Sequence, residues 1–353
     1  MGFKCGIVGL PNVGKSTIFN ALTASRSAAA ANYPFCTIEP NEGSAVVPDE
    51  TLHRLAAIAK SAKIIPAQVE FVDIAGLVRG ASTGEGLGNK FLGHIQAVDA
   101  IAHVVRCFVD DNIIHVAGEV NPLGDIETIE LELQLSDLES IEKQIAGLSK
   151  RAKGQDKDAI KSLAAAEQIR DGLKSGKSAR DISDGNPFNL LTAKPVMFVC
   201  NVDEMDAATG NALSKSVIDK FGGVIISGKI EQEISELSSE EKIEFMKELG
   251  LAESGLDRVI KAGYKLLGLQ TFYTIGPKEA HAWTIRTGDT APQAAGRIHT
   301  DFEKGFIRAE VINATDFIAL GGEVPAKEAG KMRVVGKDYV MSEGDICHFL
   351  FNN

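Results

Sequence analysis

The stretch Gly9-Leu-Pro-Asn-Val-Gly14-Lys15-Ser16-Thr17 constrains this chain more than any other part of its sequence. It fits the phosphate-loop pattern G-x-x-x-x-G-K-[ST], and it lies between a short apolar run, Lys4 to Val8, and a helical pattern, Ser16 to Ala24. A strand that enters a helix through a glycine-rich turn directs backbone N–H groups and the positive end of the helix dipole at one point. This context predicts a site for the phosphate chain of a nucleotide. The nucleotide-binding residues that it predicts are Asn12, Val13, Gly14, Lys15, Ser16 and Thr17.

Two later segments predict the Mg²⁺ and γ-phosphate contacts that accompany such a loop. The segment 28–40 contains two prolines and no apolar period, and its Thr37 is the candidate switch threonine that senses Mg²⁺ and the γ-phosphate. The apolar strand Val69 to Val72 ends in Asp73-Ile-Ala-Gly76-Leu77. We expect Asp73 to hold Mg²⁺ through water, beside the Ser16 hydroxyl, and the N–H of Gly76 to meet the γ-phosphate.

The bulk composition is that of a soluble protein with two or three domains. The chain has 353 residues and a net charge of −11, so we expect no general electrostatic attraction for DNA and only local contacts with RNA. The sequence has neither a long apolar run nor a secretory signal pattern, which predicts a cytoplasmic protein without a membrane partner. The five cysteines are scattered and show no metal or disulfide spacing: Cys5, Cys36, Cys107, Cys200 and Cys347.

A helical hairpin interrupts the nucleotide-binding part of the sequence. Apolar residues recur at spacings of three and four on each arm, and they are Leu131, Leu135, Leu138, Ile141, Ile145 and Leu148, then Ile160, Leu163, Ala166, Ile169 and Leu173. Residues 121–149 carry seven acidic side chains and one lysine, whereas residues 150–180 carry nine basic and four acidic side chains. We call residues 121–149 the acidic arm, 150–154 the tip and the rest of 150–180 the return arm. The tip and the return arm either bind RNA or a partner, or merely form ion pairs with the acidic arm.

The nucleotide domain resumes after the hairpin and is followed by a smaller domain. Apolar strands are predicted at Pro195 to Cys200 and Val224 to Ile226, and the sequence after Gly276 changes to short alternating stretches separated by turns. We therefore expect an α/β, mostly parallel P-loop domain at 1–120 and 193–275, a hairpin at 121–192, and a small α+β domain at 276–353.

The order of these motifs resembles that of the Obg-like ATPase family, known in bacteria as YchF. The motifs that carry the resemblance are the phosphate loop, the 32–41 switch, Asp73 to Leu77, Gly84 to Leu92, Asn201-Val-Asp-Glu204 and the ending 340–352. The resemblance covers essentially the whole chain. It implies a GTPase-like fold with a C-terminal TGS domain of β-grasp fold, a preference for ATP, and association with the ribosome or its large subunit. It also makes the hairpin and the TGS domain candidates for contacts with rRNA or tRNA.

A preference for ATP also follows from the residues that face the base in a GTPase. The loops at Asn201-Val202-Asp-Glu204 and Ser227-Gly228 stand where GTPases keep N-K-x-D and S-A-K. Glu204 replaces the aspartate that accepts two hydrogen bonds from guanine, and Val202 replaces the lysine that covers the base. Loss of one charge-assisted bond costs about 1.5–3 kcal/mol, or roughly ten- to a hundred-fold in affinity. We therefore expect Asn201, Val202, Glu204, Ser227 and Gly228 to form an adenine site.

Catalysis is expected to be slow without help, because Leu77 follows Gly76 where many GTPases place a water-orienting glutamine. His115, on a loop after an apolar strand, is the candidate that would orient the water. The glycine-rich segment, the ribosome and a monovalent cation are the alternatives, and Asn12 is the candidate ligand for K⁺.

Two classes of function remain open at this stage. One is a ribosome-associated ATPase whose ATP binding and hydrolysis serve a translation-associated or stress-related regulatory role. The other is a nucleotide-gated module that binds ribosomes or RNA and hydrolyses nucleotide incidentally, and a protein that binds both ATP and GTP is a further alternative.

Overall fold

The computed structural model describes residues 3–29, 42–74, 87–113, 115 and 118–352. The strands are β1 Lys4–Val8, β2 Glu42–Val46, β3 Ile64–Ile65, β4 Gln68–Asp73, β5 Ala100–Arg106, β6 Val196–Asn201, β7 Val224–Ile226, β8 Leu269–Ile275, β9 Ala280–Arg286, β10 Phe306–Asn313, β11 Arg333–Val335 and β12 Asp345–Phe351. The helices are α1 Lys15–Ala29, α2 Glu50–Ala59, α3 Leu87–Gln96, α4 Pro122–Lys153, α5 Lys157–Lys174, α6 Ala212–Phe221, α7 Gly228–Glu236, α8 Ser239–Glu248, α9 Gly255–Leu266, α10 Ala291–Ile298, α11 Thr300–Lys304, α12 Ala314–Leu320 and α13 Glu323–Glu328.

The strands form two six-stranded sheets. The first has the order β2-β4-β1-β5-β6-β7, in which β1 pairs in parallel with β4 and β5, and β6 pairs in parallel with β5 and β7. All seven residues of β5 are buried, as expected for a central strand covered on both faces. In a parallel sheet of this kind the ligand site lies at the carboxyl ends of the strands. The phosphate loop after β1, Asp73 at the end of β4 and Asn201 at the end of β6 share that edge.

The second sheet shows that the expected domain boundaries were wrong. Its order is β11-β10-β12-β8-β9-β3, and the compact unit around it comprises residues 45–69 and 264–353. Residues 45–69 contribute α2 and β3, and β3 pairs with β9, while Tyr273 donates a hydrogen bond to Asp49 at 2.9 Å. Strand β8 also belongs to this sheet rather than to the nucleotide domain. Sequence periodicity did not reveal these pairings, because the partners lie about 200 residues apart in the chain.

The helical hairpin is present as two long helices, α4 and α5, within the first unit of residues 1–44 and 70–263. Asn121 caps α4 and Asp156 caps α5, each through a side-chain oxygen that accepts from the first turn. The two helices bury a shared cluster that includes Ile141, Ala166 and Ile169.

Part of the apolar stripe predicted for the hairpin was wrong. Leu131, Leu135 and Ile160 are about half exposed, at 56%, 45% and 50%. The buried face of the first half of α4 instead contains Ile126, Ile129, Leu133 and Asp137. Asp137 accepts hydrogen bonds from Leu191 N, Thr192 N and Thr192 Oγ1, all at 2.7 Å. A buried carboxylate with three donors thus occupies a position that a purely apolar pattern assigns to the surface.

The apolar pattern of the sequence predicts a helix at 94–100 and a strand at 102–109. In the structure the helix is α3, which lies earlier, and the strand is β5, which ends at Arg106. The four described cysteines, Cys5, Cys107, Cys200 and Cys347, are free and buried, whereas Cys36 lies outside the described residues. No helix in the described parts of the chain combines the length and the apolar character needed to cross a bilayer.

Candidate nucleotide site

The phosphate loop connects β1 to α1 as the sequence predicts, and two of its glycines are required by close packing. A Cβ on Gly9 would come within 2.5 Å of the carbonyl oxygen of Val104 in β5. Gly14 has a φ of +95°, and a Cβ there would collide with Nδ2 of Asn201. The loop is therefore pressed against β5 and the end of β6, and its backbone has the curl that a phosphate-binding nest needs.

Lys15 lies in the first turn of α1 with its side chain folded over the loop. Its Nζ donates to the carbonyl oxygen of Leu10 at 2.7 Å, and the residue is buried. Burial lowers the pKa of Lys15 from 10.5 to about 8, an effect that the nearby Asp73 carboxylate partly offsets. An ammonium group that is held in place and poorly hydrated is ready to exchange its carbonyl contact for phosphate oxygens.

Asp73, the last residue of β4, has a carboxylate oxygen without a protein partner. Its Oδ1 is buried and has no hydrogen bond within the described part of the chain. Burial raises the pKa of Asp73, and the charge of Lys15 lowers it in part. A buried oxygen atom without a donor fits a hydrated hard cation, and the hydroxyl of Ser16 in α1 is a second ligand of the type that Mg²⁺ prefers.

Asn201 joins the phosphate loop to the loop that follows β7. Its Nδ2 donates to the carbonyl oxygen of Val13 at 2.9 Å, and its Oδ1 accepts from the backbone N of Gly228 at 3.0 Å. Gly228 begins α7, and a Cβ there would lie 3.4 Å from Cγ2 of Thr17. The predicted base loops and the predicted phosphate loop are therefore joined through one side chain.

Ser227 has a polar atom available for a ligand at this same junction. The residue is 2% exposed, and its Oγ has no hydrogen-bond partner in the described residues although it precedes the first turn of α7. Leaving a buried hydroxyl unpaired costs about 1–3 kcal/mol. Such an atom at a predicted base loop is the kind of group that a nucleotide would satisfy.

The other two base-loop residues lie in different surroundings. The side chain of Val202 is 3% exposed and packs in a core cluster with Val105 and Cys200, so it does not cover a base as the lysine of a GTPase would. Glu204 is exposed, and its Oε1 lies 3.8 Å from Nζ of Lys229 in α7. The carboxylate that stands in place of the guanine-binding aspartate is thus paired with an ammonium group, which sequence reasoning missed.

His115, the predicted water-orienting residue, is buried against the hairpin helix α4. The residue is 7% exposed, and its Nε2 lies 3.0 Å from Oδ2 of Asp125 in α4. Burial raises the pKa of Asp125, while the hydrogen bond and charge of His115 and the charge of Arg106 lower it. The contact fastens His115 to the hairpin. The other predicted residues of this region, Thr37, Gly76 and Leu77, lie outside the described residues, as does most of the glycine-rich segment before Leu87.

Arg106 at the end of β5 is a residue near the site that sequence reasoning missed. It is 1% exposed and donates to three carbonyl oxygens: to Phe108 from Nε at 3.1 Å, to Ile113 from Nη1 at 3.0 Å and to Asp110 from Nη2 at 3.2 Å. These bonds fold the 107–113 segment around the guanidinium group. A charged residue at the end of a mostly apolar strand is the sequence signal for it.

Comparisons with known proteins agree with this layout. The family model described as a 50S ribosome-binding GTPase matches residues 4–162, and the YchF-GTPase C-terminal model, described as a protein of unknown function, matches residues 269–352. "Ribosome-binding ATPase YchF" of Pasteurella multocida strain Pm70 is 55% identical over 363 aligned residues, with 100% of both chains covered. The protein of the same name from Bacillus subtilis strain 168 is 50% identical over 366 aligned residues, also with 100% of both chains covered.

A solved structure extends the agreement to the fold. The structure of the Schizosaccharomyces pombe YchF GTPase has a TM-score of 0.88 and 40% sequence identity, and the match covers 99% of this chain and 98% of that one. The expected GTPase-like fold is confirmed by this match. On full-length identity, on both family models and on the fold, this chain is a member of the YchF family of P-loop nucleotide hydrolases.

Proposed function

We propose that this chain is a cytoplasmic, Mg²⁺-dependent ATP hydrolase that binds the ribosome and takes part in regulating a translation-associated or stress-related process. One observation carries the proposal: the Asn201 amide bonds both Val13 of the phosphate loop and Gly228 of the base loop, so that the two ends of a nucleotide site are joined. The relatives named as ribosome-binding ATPases supply the partner.

For Mg²⁺ we propose the Ser16 hydroxyl as a direct ligand, Asp73 as a ligand through water, and Thr37 as the switch ligand. The unpartnered Oδ1 of Asp73 supports this assignment. When bound, the ion would neutralise charge on the β- and γ-phosphates. Lys15 would hold the same phosphates from the protein side, and the backbone N–H of Gly76 would meet the γ-phosphate.

We propose that ATP is preferred to GTP because Glu204 cannot reproduce the two hydrogen bonds that aspartate gives to guanine. Lys229 supports this, since the nearby ammonium group competes with a base for the carboxylate. Titration of the protein with ATP and GTP tests the preference. Glu204→Asp should raise GTP affinity relative to ATP by roughly tenfold, the value of one charge-assisted bond. Tighter binding of GTP than of ATP by the parent chain would contradict the assignment.

We propose that hydrolysis is slow until a partner or a cation completes the site. Leu77 has no group that can orient water, and the burial of His115 against Asp125 supports looking beyond that histidine, which is the candidate that the sequence favours. The glycine-rich segment, the ribosome and K⁺ near Asn12 remain. Turnover measured in KCl and in NaCl, each with and without ribosomes, separates them. If His115→Ala lowered the rate with ribosomes while leaving the fold intact, the histidine would return as a candidate.

For ribosome binding we propose that the hairpin tip contacts rRNA or tRNA. Four lysines there, Lys150, Lys153, Lys157 and Lys161, are exposed and have no ion pair within the described residues. Between the two arms, the described ion pairs are Lys174 with Glu142, at 3.0 Å, and Arg180 with Glu130. Cosedimentation with ribosomes in ADP, ATP and a non-hydrolysable analogue tests the contact. Changing the four lysines to glutamine should weaken binding and flatten its salt dependence, whereas changing the paired Lys143 and Lys174 should not.

A second candidate is a nucleotide-gated ribosome-binding module with incidental hydrolysis. The observation that favours it is again the absence of a placed water-orienting group among the described residues. Strong stimulation of turnover by ribosomes would contradict this candidate. Nucleotide-dependent cosedimentation without stimulation would support it over the enzyme.

A further inference from the structure

The second sheet contains an open cleft that the nucleotide chemistry does not use. Strands β8 and β12 are parallel neighbours that pair at Tyr273 and Ile346, and in the described residues no later pair joins them. Beyond that point the strands border a cleft of about 1080 Å³. Strand β12 continues to pair with β10 as far as Phe351 on its other side. The second half of β12 is therefore a strand edge that faces a cavity inside its own sheet.

The dimensions of the cleft fit an extended chain. Its volume is above the range of about 300–1,000 Å³ that is usual for small-ligand pockets. The edge from Ile346 to Phe351 allows roughly five or six residues of a strand at about 3.3 Å each. Strand addition at such an edge gives affinity through backbone hydrogen bonds, and alternate side chains enter the pockets beside it.

The charged groups of the cleft favour a basic protein segment over a strand of nucleic acid. Three carboxylates line it, those of Glu279, Glu310 and Glu323, against the single ammonium group of Lys278. Neither Glu310 nor Glu323 is in an ion pair within the described residues. Aromatic walls alone would suit a nucleobase as well as a cation. The excess of carboxylates repels a phosphate backbone and attracts lysine or arginine side chains.

The aromatic side chains that line the cleft are held by one another. The rings of Phe302 and Phe351 stack with their centroids 3.8 Å apart, and Trp283 stacks on His281 at 3.7 Å. Trp283 also donates from Nε1 to Oγ1 of Thr274 at 2.9 Å. Fixed ring faces beside carboxylates suit the methylene stems and charged heads of basic side chains.

We propose that this cleft receives an extended, lysine- or arginine-bearing protein segment, which adds as a strand to the free edge of β12. The inference does not rest on the proposed ATPase function. It assigns to the C-terminal unit a protein contact, in contrast to the RNA contact that the family resemblance suggests for it.

The test uses the full-length chain and labelled ten-residue probes, measured by fluorescence anisotropy. The first probe alternates lysine and valine, the second alternates glutamate and valine, the third is the lysine peptide N-methylated at alternate residues, and the fourth is single-stranded oligouridine. We expect the first probe to bind at least about tenfold more tightly than each of the others. N-methylation removes the N–H donors that strand addition requires, without changing the charge.

Matched variants distinguish the cleft from general attraction to an acidic protein. Glu310→Lys, in the cleft, should weaken binding of the lysine peptide by about tenfold. Glu328→Lys, an exposed position of α13 outside the cleft, makes the same change in net charge and should leave binding unchanged. Circular dichroism checks that both variants fold.

Three outcomes would overturn the proposal. Equal binding of the N-methylated peptide excludes strand addition, and tighter binding of oligouridine identifies an RNA site instead. The proposal would also fail if the folded parent chain, at concentrations up to about 1 mM, did not bind the lysine peptide. That limit corresponds to a binding free energy weaker than about −4 kcal/mol.

Discussion

The bridge made by Asn201 is the contact whose removal should most directly disturb nucleotide binding. In Asn201→Ala, the carbonyl of Val13 loses its donor and the backbone N of Gly228 loses its acceptor. Each bond contributes about 1 kcal/mol net, and a buried group left unpaired costs about 1–3 kcal/mol. In the nucleotide-free variant the phosphate loop and the loop before α7 can separate and hydrogen-bond to water. ATP must then bring the two loops together, which lowers the free energy of ATP binding. We expect a loss of about 2 kcal/mol, which is roughly 30-fold in the dissociation constant for ATP.

Equilibrium titration with a fluorescent ATP analogue measures this effect, with thermal unfolding of the nucleotide-free protein alongside. Asn186→Ala is the matched control, because Asn186 makes the same pair of bonds to one residue, Leu190, at 2.8 Å and 2.7 Å. The control should lower stability by a similar amount and leave ATP affinity unchanged. If folded Asn201→Ala bound ATP within about twofold of the parent chain, the bridge would not organise the site and the reasoning would be refuted.

Three further predictions concern single side chains. Ser227→Ala should raise the melting temperature of the nucleotide-free protein, since it removes a buried hydroxyl that has no described partner, yet weaken ATP binding by roughly tenfold in a titration. Folding lowers the pKa of Lys15 from 10.5 to about 8, so between these pH values the unfolded chain holds a proton that the folded protein has lost. The contribution of Lys15 to the free energy of unfolding should therefore increase as the pH rises from about 8 to 10.5. A triphosphate requires the charged form of Lys15, so ATP affinity should fall over the same pH range. Calorimetry in two buffers of different ionisation enthalpy should detect the uptake of a proton when ATP binds. ATP affinity that does not change from about pH 7 to 9.5 would contradict this prediction. Asp137→Asn places an amide against donors from Leu191 and Thr192 and should cost about 1–3 kcal/mol in urea unfolding, without changing ATP affinity.

The sequence was most informative where function depends on a contiguous stretch of backbone. The phosphate loop, β1 and β7 lie at their predicted positions because glycine spacing and short apolar runs are local signals. The roles of Asn201, Ser227 and Gly228 remain predictions, but the structure places them around one junction with the loop.

Residues whose neighbours are distant in sequence were poorly predicted. Lys229 beside Glu204 could not be anticipated from motif spacing, and His115 gave no sign that Asp125 would bury it. Leu131 was expected to be buried and is exposed, whereas Asp137, a charged residue, is buried. Asp137 is buried because Leu191 and Thr192, more than 50 residues later in the chain, supply its hydrogen-bond donors. Helical periodicity describes one helix and contains no information about which face another segment will cover.

The division of the second unit into two stretches has a consequence for synthesis of the chain. Residues 45–69 leave the ribosome about 200 residues before their partners at 264–353. At roughly 5–20 residues per second this interval is about 10 to 40 s. During that time the apolar side chains of Leu52 and Leu55, which are fully buried in the finished protein, lack the surface that covers them. The early stretch therefore exposes apolar surface that a chaperone could cover during this interval, and a chain that ends before residue 264 would never bury it.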